Sequence, residues 1–170
     1  FKKPQRGDVI VFKTPVDNRT DYIKRFIGLP GDEIQFINGN LYLNNNQILK
    51  TKRSIKNLKI YCGDTIIDVF AYDEKLPNGV TYTAVYRSDV SFQNSDKYIV
   101  PNDHFFFLGD NRDCSKDSRY LNSVGYVNKL NLVGKARIIF FSTNKNKGNI
   151  FQIWKWFEII RWNRFFYIIN

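Results

Sequence analysis

HFFFLGDNRDCSKDSRY, residues 104–120, sets a short run dominated by phenylalanine directly against a stretch of charges and hydroxyls. The first five residues are apolar enough for a buried strand and too few for a helix. Asp110, Arg112, Asp113 and Asp117 then follow, with Arg119 close behind and Ser115 and Ser118 between them. That stretch is too polar for a core strand and too poor in apolar residues for an amphipathic helix. The chain therefore leaves a rigid element and enters a charged loop, the kind of place where sites are built.

Working outward, the same strand-and-turn grammar recurs. VIVF (residues 9–12) is a β-branched run bounded by Pro15, DNRT (residues 17–20) is turn chemistry, and residues 22–29 form a second apolar run. These predict an antiparallel pair. LPGD (residues 29–32) carries proline and glycine where a type II turn wants them. Residues 33–37 and 40–43 then read as a hairpin about Asn38-Gly39, so the first forty residues predict a β-meander. The apolar pattern returns at residues 98–100, turns at 101–103, and supplies further strands at 104–108, 124–127 and 132–141.

Residues 44–96 differ: they are rich in Asn and Lys, with short strand-like runs at 66–67, 69–70 and 81–86. The predicted fold is mainly β, with antiparallel sheets and no βαβ rhythm. Residues 1–43 and 97–142 would form the core, 44–96 an inserted β-rich subdomain, and 143–170 a tail. Within the tail, residues 151–170 predict an amphipathic helix, with Phe151, Trp154, Phe157, Ile160 and Ile168 on its apolar side. Lys155, Arg161 and Arg164 interrupt it too often for a membrane span. It suits either an interfacial helix on anionic lipid or a helix docked on the β body.

The chain is long enough for a sizeable core, and its high aromatic share argues against disorder. The net charge of +10 is compatible with a polyanion partner, but the cations are scattered rather than striped, and nucleic acid is not expected. With a single histidine, His104, and no CxxC, neither a metal site nor a cofactor is expected. Cys62 and Cys114 leave two options, a disulfide or free thiols; free thiols are favoured because nothing else suggests a disulfide-built scaffold. The sequence contains no methionine and begins Phe1-Lys-Lys-Pro, so an upstream segment is expected.

Lys24 is the unusual residue of the second strand. Alternation puts it on one face with Tyr22 and Phe26, and puts Ile23 on the other with Arg25 and Ile27. A lysine on an aromatic face either snorkels to water or is partly desolvated. Desolvation disfavours the ammonium and makes the amine a usable general base.

RGDVIVF (residues 6–12), DYIKRFIGLPGD (residues 21–32) and GDNRDCSKDSRY (residues 109–120) together, in this order, resemble bacterial type I signal peptidase, the serine-lysine class of leader peptidase. The resemblance covers the body of the chain from Arg6 to about Arg137. It implies a membrane-bound serine endopeptidase that cuts signal peptides from exported preproteins. Its catalytic domain would lie on the outer, periplasmic side of the bacterial inner membrane, against the bilayer surface.

In that family a neutral lysine takes the proton of an attacking serine. Lys24 matches the base and Ser115 the serine whose hydroxyl orients it. Asp117 and Arg119 match a structural ion pair under the site. Arg25, Asp110, Arg112 and Asp113 match the charged framework that fixes the loop. Residues 21–24 match the edge that receives an extended substrate, with Val11, Asp21, Tyr22 and Ile23 as substrate-contacting positions and shallow pockets for small side chains.

Two departures stand out. The family's nucleophile sits in a Ser-Met motif that this sequence does not contain, so the 170 residues alone are expected to be inert. Cys114 also replaces the asparagine usual before Ser115. Two other readings are a serine-lysine protease of related fold, such as the self-cleaving repressors of the LexA type, and a non-enzymatic basic β domain binding lipid or nucleic acid. The residue 109–120 signature and the LPGD turn disfavour the first, and an ordinary, dispensable Lys24 would mark the second.

Overall fold

The computed structural model describes residues 3–55, 57–89, 93–139 and 166–169. In chain order the strands are β1 (Val9–Lys13), β2 (Asp21–Gly28), β3 (Glu33–Ile37), β4 (Asn40–Leu43), β5 (Asn46–Gln47), β6 (Leu49–Lys52), β7 (Lys59–Cys62), β8 (Thr65–Lys75) and β9 (Thr81–Arg87). They continue with β10 (Tyr98–Ile99), β11 (His104–Leu108), β12 (Val127–Asn128), β13 (Leu132–Lys135), β14 (Ile138–Ile139) and β15 (Tyr167–Ile168). The fold is mainly β, and the strands pair antiparallel throughout.

Residues up to Lys135 form one compact unit and those from Ala136 onward another. In the first, a sheet of order β12-β11-β2-β1-β13 carries the Lys24 strand at its centre. Ile10 pairs with Lys24 and Phe12 with Tyr22. On that face Ile10, Phe12, Phe26, Phe107, Val124 and Val127 form one buried cluster. Phe12 stacks on Phe107 at 4.6 Å between ring centroids. Each such fully buried side chain contributes about 1.5–3 kcal/mol of hydrophobic stabilisation.

The predicted meander divides in two. After β2 the chain turns at residues 29–32, where Gly31 has φ 84° and Asp32 N–H donates to Leu29 O at 3.0 Å. It then enters a second sheet, β10-β3-β4-β5. Arg6 fixes this change of sheet by pairing with the Asp32 carboxylate at 2.8 Å. The β3–β4 hairpin closes as expected, with Asn38 and Gly39 at φ 49° and 74°, the left-handed pair that a type I′ turn requires.

β8 is the long strand of residues 44–96; it pairs with β6, β7 and β9. Leu76, Tyr82, Ala84 and Tyr86 from this segment share one buried cluster with Ile27, Ile34, Phe36, Phe106 and Leu108.

Four expectations are corrected. Residues 124–127 are not a strand over their length: Val124 and Gly125 N–H both return to Tyr120 O in a turn, and only Val127 enters β12. Residues 132–141 do not form one strand, because β13 and β14 are separate and lie in different units. Cys62 and Cys114 are joined in a disulfide with Cα atoms 5.4 Å apart, not free. The topology explains that last difference, since Val85 of β9 bridges to Asn111 and so carries the whole β7–β8–β9 unit to the charged loop. Most of the expected C-terminal helix, residues 151–165, lies outside the described residues. At its end Tyr167–Ile168 is a strand paired with Ile138–Ile139, where helix was expected.

Candidate active site

Lys24 is half-buried on the Phe12–Phe107 face, with Nζ 5.4 Å from the centroid of the Tyr22 ring. Burial draws its pKa below the ordinary 10.5. Asp117 and Asp110 push it back up, Arg119 lowers it, and desolvation wins. The amine is thus easier to deprotonate than a surface lysine.

On the other side of β2, pairing with β11 ends at Arg25 opposite Leu108. The loop charges that act on Lys24 surround Gly109: Asp110 follows it in the chain, and Asp117 accepts its N–H at 2.9 Å. Gly109 has no side chain, and the vacant place is filled from the loop. A Cβ built there would lie 2.0 Å from Ser115 Oγ and 2.2 Å from Ser115 Cβ. Ser115 thus packs onto the Gly109 backbone, in the loop whose charges act on Lys24. Among the described residues no hydrogen bond joins Ser115 Oγ to Lys24 Nζ.

Paired charges shape the loop that delivers Ser115. Arg25, buried on the opposite face of β2, grips Asp110 with two bonds, Nε to Oδ1 at 2.8 Å and Nη2 to Oδ2 at 2.7 Å. Its Nη1 donates to Gly7 O at 2.7 Å. Asp117 is fully buried and accepts Arg119 Nε at 2.8 Å, Arg119 Nη2 at 2.8 Å and Gly109 N–H at 2.9 Å. Ser118 closes the loop against β11 by accepting Phe107 N–H at 2.9 Å and donating its own N–H to Phe107 O at 3.0 Å. Asp113 accepts Arg87 N–H at 2.7 Å.

Arg112 is the largest fully buried side chain among the described residues. Its guanidinium meets Glu74 of β8 through Nη1 at 3.1 Å and Nη2 at 2.9 Å, and Nε donates to Gly109 O at 3.2 Å. Tyr82 and Tyr86 hydroxyls donate to the same carboxylate and accept from the guanidinium. Burial pushes both phenols up, keeping them protonated as donors. Burial alone would raise Glu74 as well, but Arg112 and the phenols more than offset it and the carboxyl titrates below its ordinary 4.5.

Sequence reading missed Glu74, Tyr82 and Tyr86. A signal was present: Tyr82, Ala84 and Tyr86 alternate, and a hairpin about Asn78-Gly79 sets Glu74 directly opposite Tyr82. It also missed Gly109 as the seat of Ser115.

The four substrate-contacting candidates are not on one face. Val11 pairs with Ile23, which is 50% exposed, while Tyr22 lies on the Lys24 face. Asp21 is exposed and pairs with Lys13 at 3.2 Å. From Asp21 to Lys24, β2 is paired with β1 alone among the described residues, so its other edge is open. No grouping of His, Cys, Asp and Glu among the described residues could hold a metal ion.

Residues 1–141 match the family described as signal peptidase, peptidase S26. Over 180 residues the chain is 37% identical to the signal peptidase I of Rickettsia akari (strain Hartford), a match covering 97% of this chain and 65% of that protein. It is 40% identical over 181 residues to the signal peptidase I of Rickettsia prowazekii (strain Madrid E), covering 97% of this chain and 66% of that protein. The chain thus spans just under two thirds of the length of these relatives. A crystal structure of a signal peptidase I from Enterococcus faecalis V583 is similar with a TM-score of 0.46 and 26% identity, covering 80% of this chain and 98% of that one.

Proposed function

The chain belongs to the signal peptidase family, peptidase S26, and on that premise we propose that it carries the general base of a serine-lysine endopeptidase removing signal peptides from exported preproteins. The observation that supports the reading is the setting of Lys24: half-buried on an aromatic face, with its pKa lowered by burial and acted on by the charges of the loop in which Ser115 is seated on Gly109.

In the proposed mechanism the neutral Lys24 amine takes the proton of the attacking serine hydroxyl as that oxygen adds to the scissile carbonyl. The serine is that of the family's Ser-Met motif, which is not among these 170 residues. Lys24, now an ammonium, gives the proton to the departing amine, and water then clears the acyl-enzyme by the same base. In that step Ser115 would accept one of the amine's N–H groups and so direct it. The Arg25–Asp110 and Asp117–Arg119 pairs keep the loop stiff without leaving a bare cation beside the base.

The open edge of β2 at Asp21–Lys24 fits an extended peptide added by main-chain pairing. Ile23 and Val11 on one face and Tyr22 on the other would limit the side chains admitted on each side. The reading places the protein at the bacterial inner membrane with this domain on the outer side, acting on preproteins against the lipid surface. No helix among the described residues is long and apolar enough to cross a membrane.

The experiment is cleavage of a reporter preprotein by the full-length protein and its Lys24→Ala variant, each with its fold checked by circular dichroism. Complete loss in the variant is expected. Cleavage at the wild-type rate would overturn the assignment.

A further inference from the structure

The loop carrying Ser115 is gripped by the β7–β8–β9 unit at four places. Val85 N–H donates to Asp110 O at 2.8 Å, and Val85 O accepts Arg112 N–H at 2.9 Å. Glu74 holds the Arg112 guanidinium, and Arg87 N–H holds Asp113. The fourth tie is the Cys62–Cys114 disulfide. The first three act on residues 110–113, and Asp117 and Ser118 resume the hold beyond. The disulfide is the tie that sits next to Ser115.

That position matters because of how Ser115 is held. Its N–H donates to Asn111 O at 3.1 Å, but its hydroxyl has no hydrogen-bond partner among the described residues. The side chain stays on Gly109 by packing and by what its chain neighbours fix. The other end of the bond is the last residue of β7, at a hairpin tip where Tyr61 is 50% and Ile66 57% exposed. A reductant can approach the tip without opening the core.

We propose that Cys114 is a positioning residue for the lysine base: its bond to Cys62 keeps Ser115 seated on Gly109, and so fixes the alignment and the dryness of the Lys24 amine. The inference rests on the reading of Lys24 as general base. Lys24 faces Tyr22 on its own strand and Asp110, Asp117 and Arg119 from the loop; β1 brings Ile10 and Phe12, neither titratable. With the bond open, water reaches the amine, the ammonium regains solvation, and less of the lysine is neutral at a given pH. The acidic limb of the rate profile then moves to higher pH. In the opening step a dithiol delivers two electrons and two protons, the sulfur–sulfur bond becomes two thiols, and the dithiol becomes a disulfide.

The test uses the full-length protein in three forms: wild type, wild type reduced with dithiothreitol, and Cys62→Ala, which leaves residue 114 a cysteine. The kcat/KM of preprotein cleavage is followed against pH, with folding checked by circular dichroism. The reduced protein keeps the inference testable if the variant folds poorly. The expected result is an acidic limb displaced upward in both altered forms, with cleavage at a fixed pH below the limb reduced roughly tenfold per pH unit of displacement. An unmoved limb, whether the rate is unchanged or uniformly scaled down, would overturn the inference, because a merely structural bond alters only the amount of active protein. Lys24→Ala is run alongside: if it still cleaves, the general-base reading fails, and if it is dead while the limb stays put, only the disulfide inference fails.

Discussion

Ser115 occupies the place of the side chain that Gly109 lacks, its Oγ 2.0 Å from where a Gly109 Cβ would stand. Real Cβ atoms never approach that closely, and Ser115 is fixed on either side by Cys114 and by Asp117. Gly109→Ala is therefore expected to unseat Ser115 rather than be absorbed. Its stability cost is about 1–3 kcal/mol, the range of overpacking in a filled site. Thermal melts and preprotein cleavage should show a mild loss of stability alongside a loss of activity at least as large as that of Ser115→Ala. For Ser115→Ala itself the expected loss is roughly a hundredfold, the size of the single hydrogen bond that the proposed mechanism assigns to it.

Asp117→Asn tests the buried Asp117–Arg119 pair, whose charges act on Lys24. The substitution strips Arg119 of a carboxylate in a site where both side chains are at most 5% exposed. Breaking such a pair costs about 3–5 kcal/mol. Urea denaturation should show a much lower midpoint with an unchanged slope. The charge lost is also one that holds the Lys24 pKa up, so any folded variant should show its acidic limb at lower pH.

Glu74→Gln should destabilise by a similar amount, because Arg112 is then left buried with a neutral partner. The pH dependence has a definite sign. Glu74 titrates below its ordinary 4.5 when folded, so its stabilising effect is present above about that pH and is lost as the pH falls through the lowered value. The stability gap between wild type and Glu74→Gln, measured by urea titration, should be full at pH 7 and shrink on acidification below pH 4.5. A gap that stays constant to pH 2 would contradict the role given to the carboxylate.

Much of this arrangement was legible in the residues. Strand alternation placed Lys24 with Tyr22 and Phe26, and Asn38-Gly39 announced its hairpin, because both rest on local backbone rules. Glu74 was not legible: in YDEK it looks like one more solvated charge, and only its partner strand turns it inward. The disulfide escaped for a similar reason, since nothing local relates cysteines 52 residues apart. Tyr167–Ile168 forms a strand where helical spacing was expected, because a partner at Ile138–Ile139 outweighs local periodicity. The pairing of Ser115 with Gly109 depends on an absent side chain, which a sequence shows only as a glycine.

If Lys24 is the proposed general base, which must be neutral to work, cleavage should rise with pH through the lowered Lys24 value and level off below 10.5. Preprotein cleavage by the full-length protein, followed as kcat/KM across pH, reads that limb. Adding salt should move it little, because desolvation rather than exposed charge sets it.

The most direct measurement is the titration of Lys24 itself, by NMR of the full-length protein carrying labelled lysine, with Lys24→Arg used to assign the signal. Lys24 is expected to titrate clearly below the surface lysines and below 10.5. A Lys24 signal that moves together with those of the surface lysines would contradict its assignment as the base.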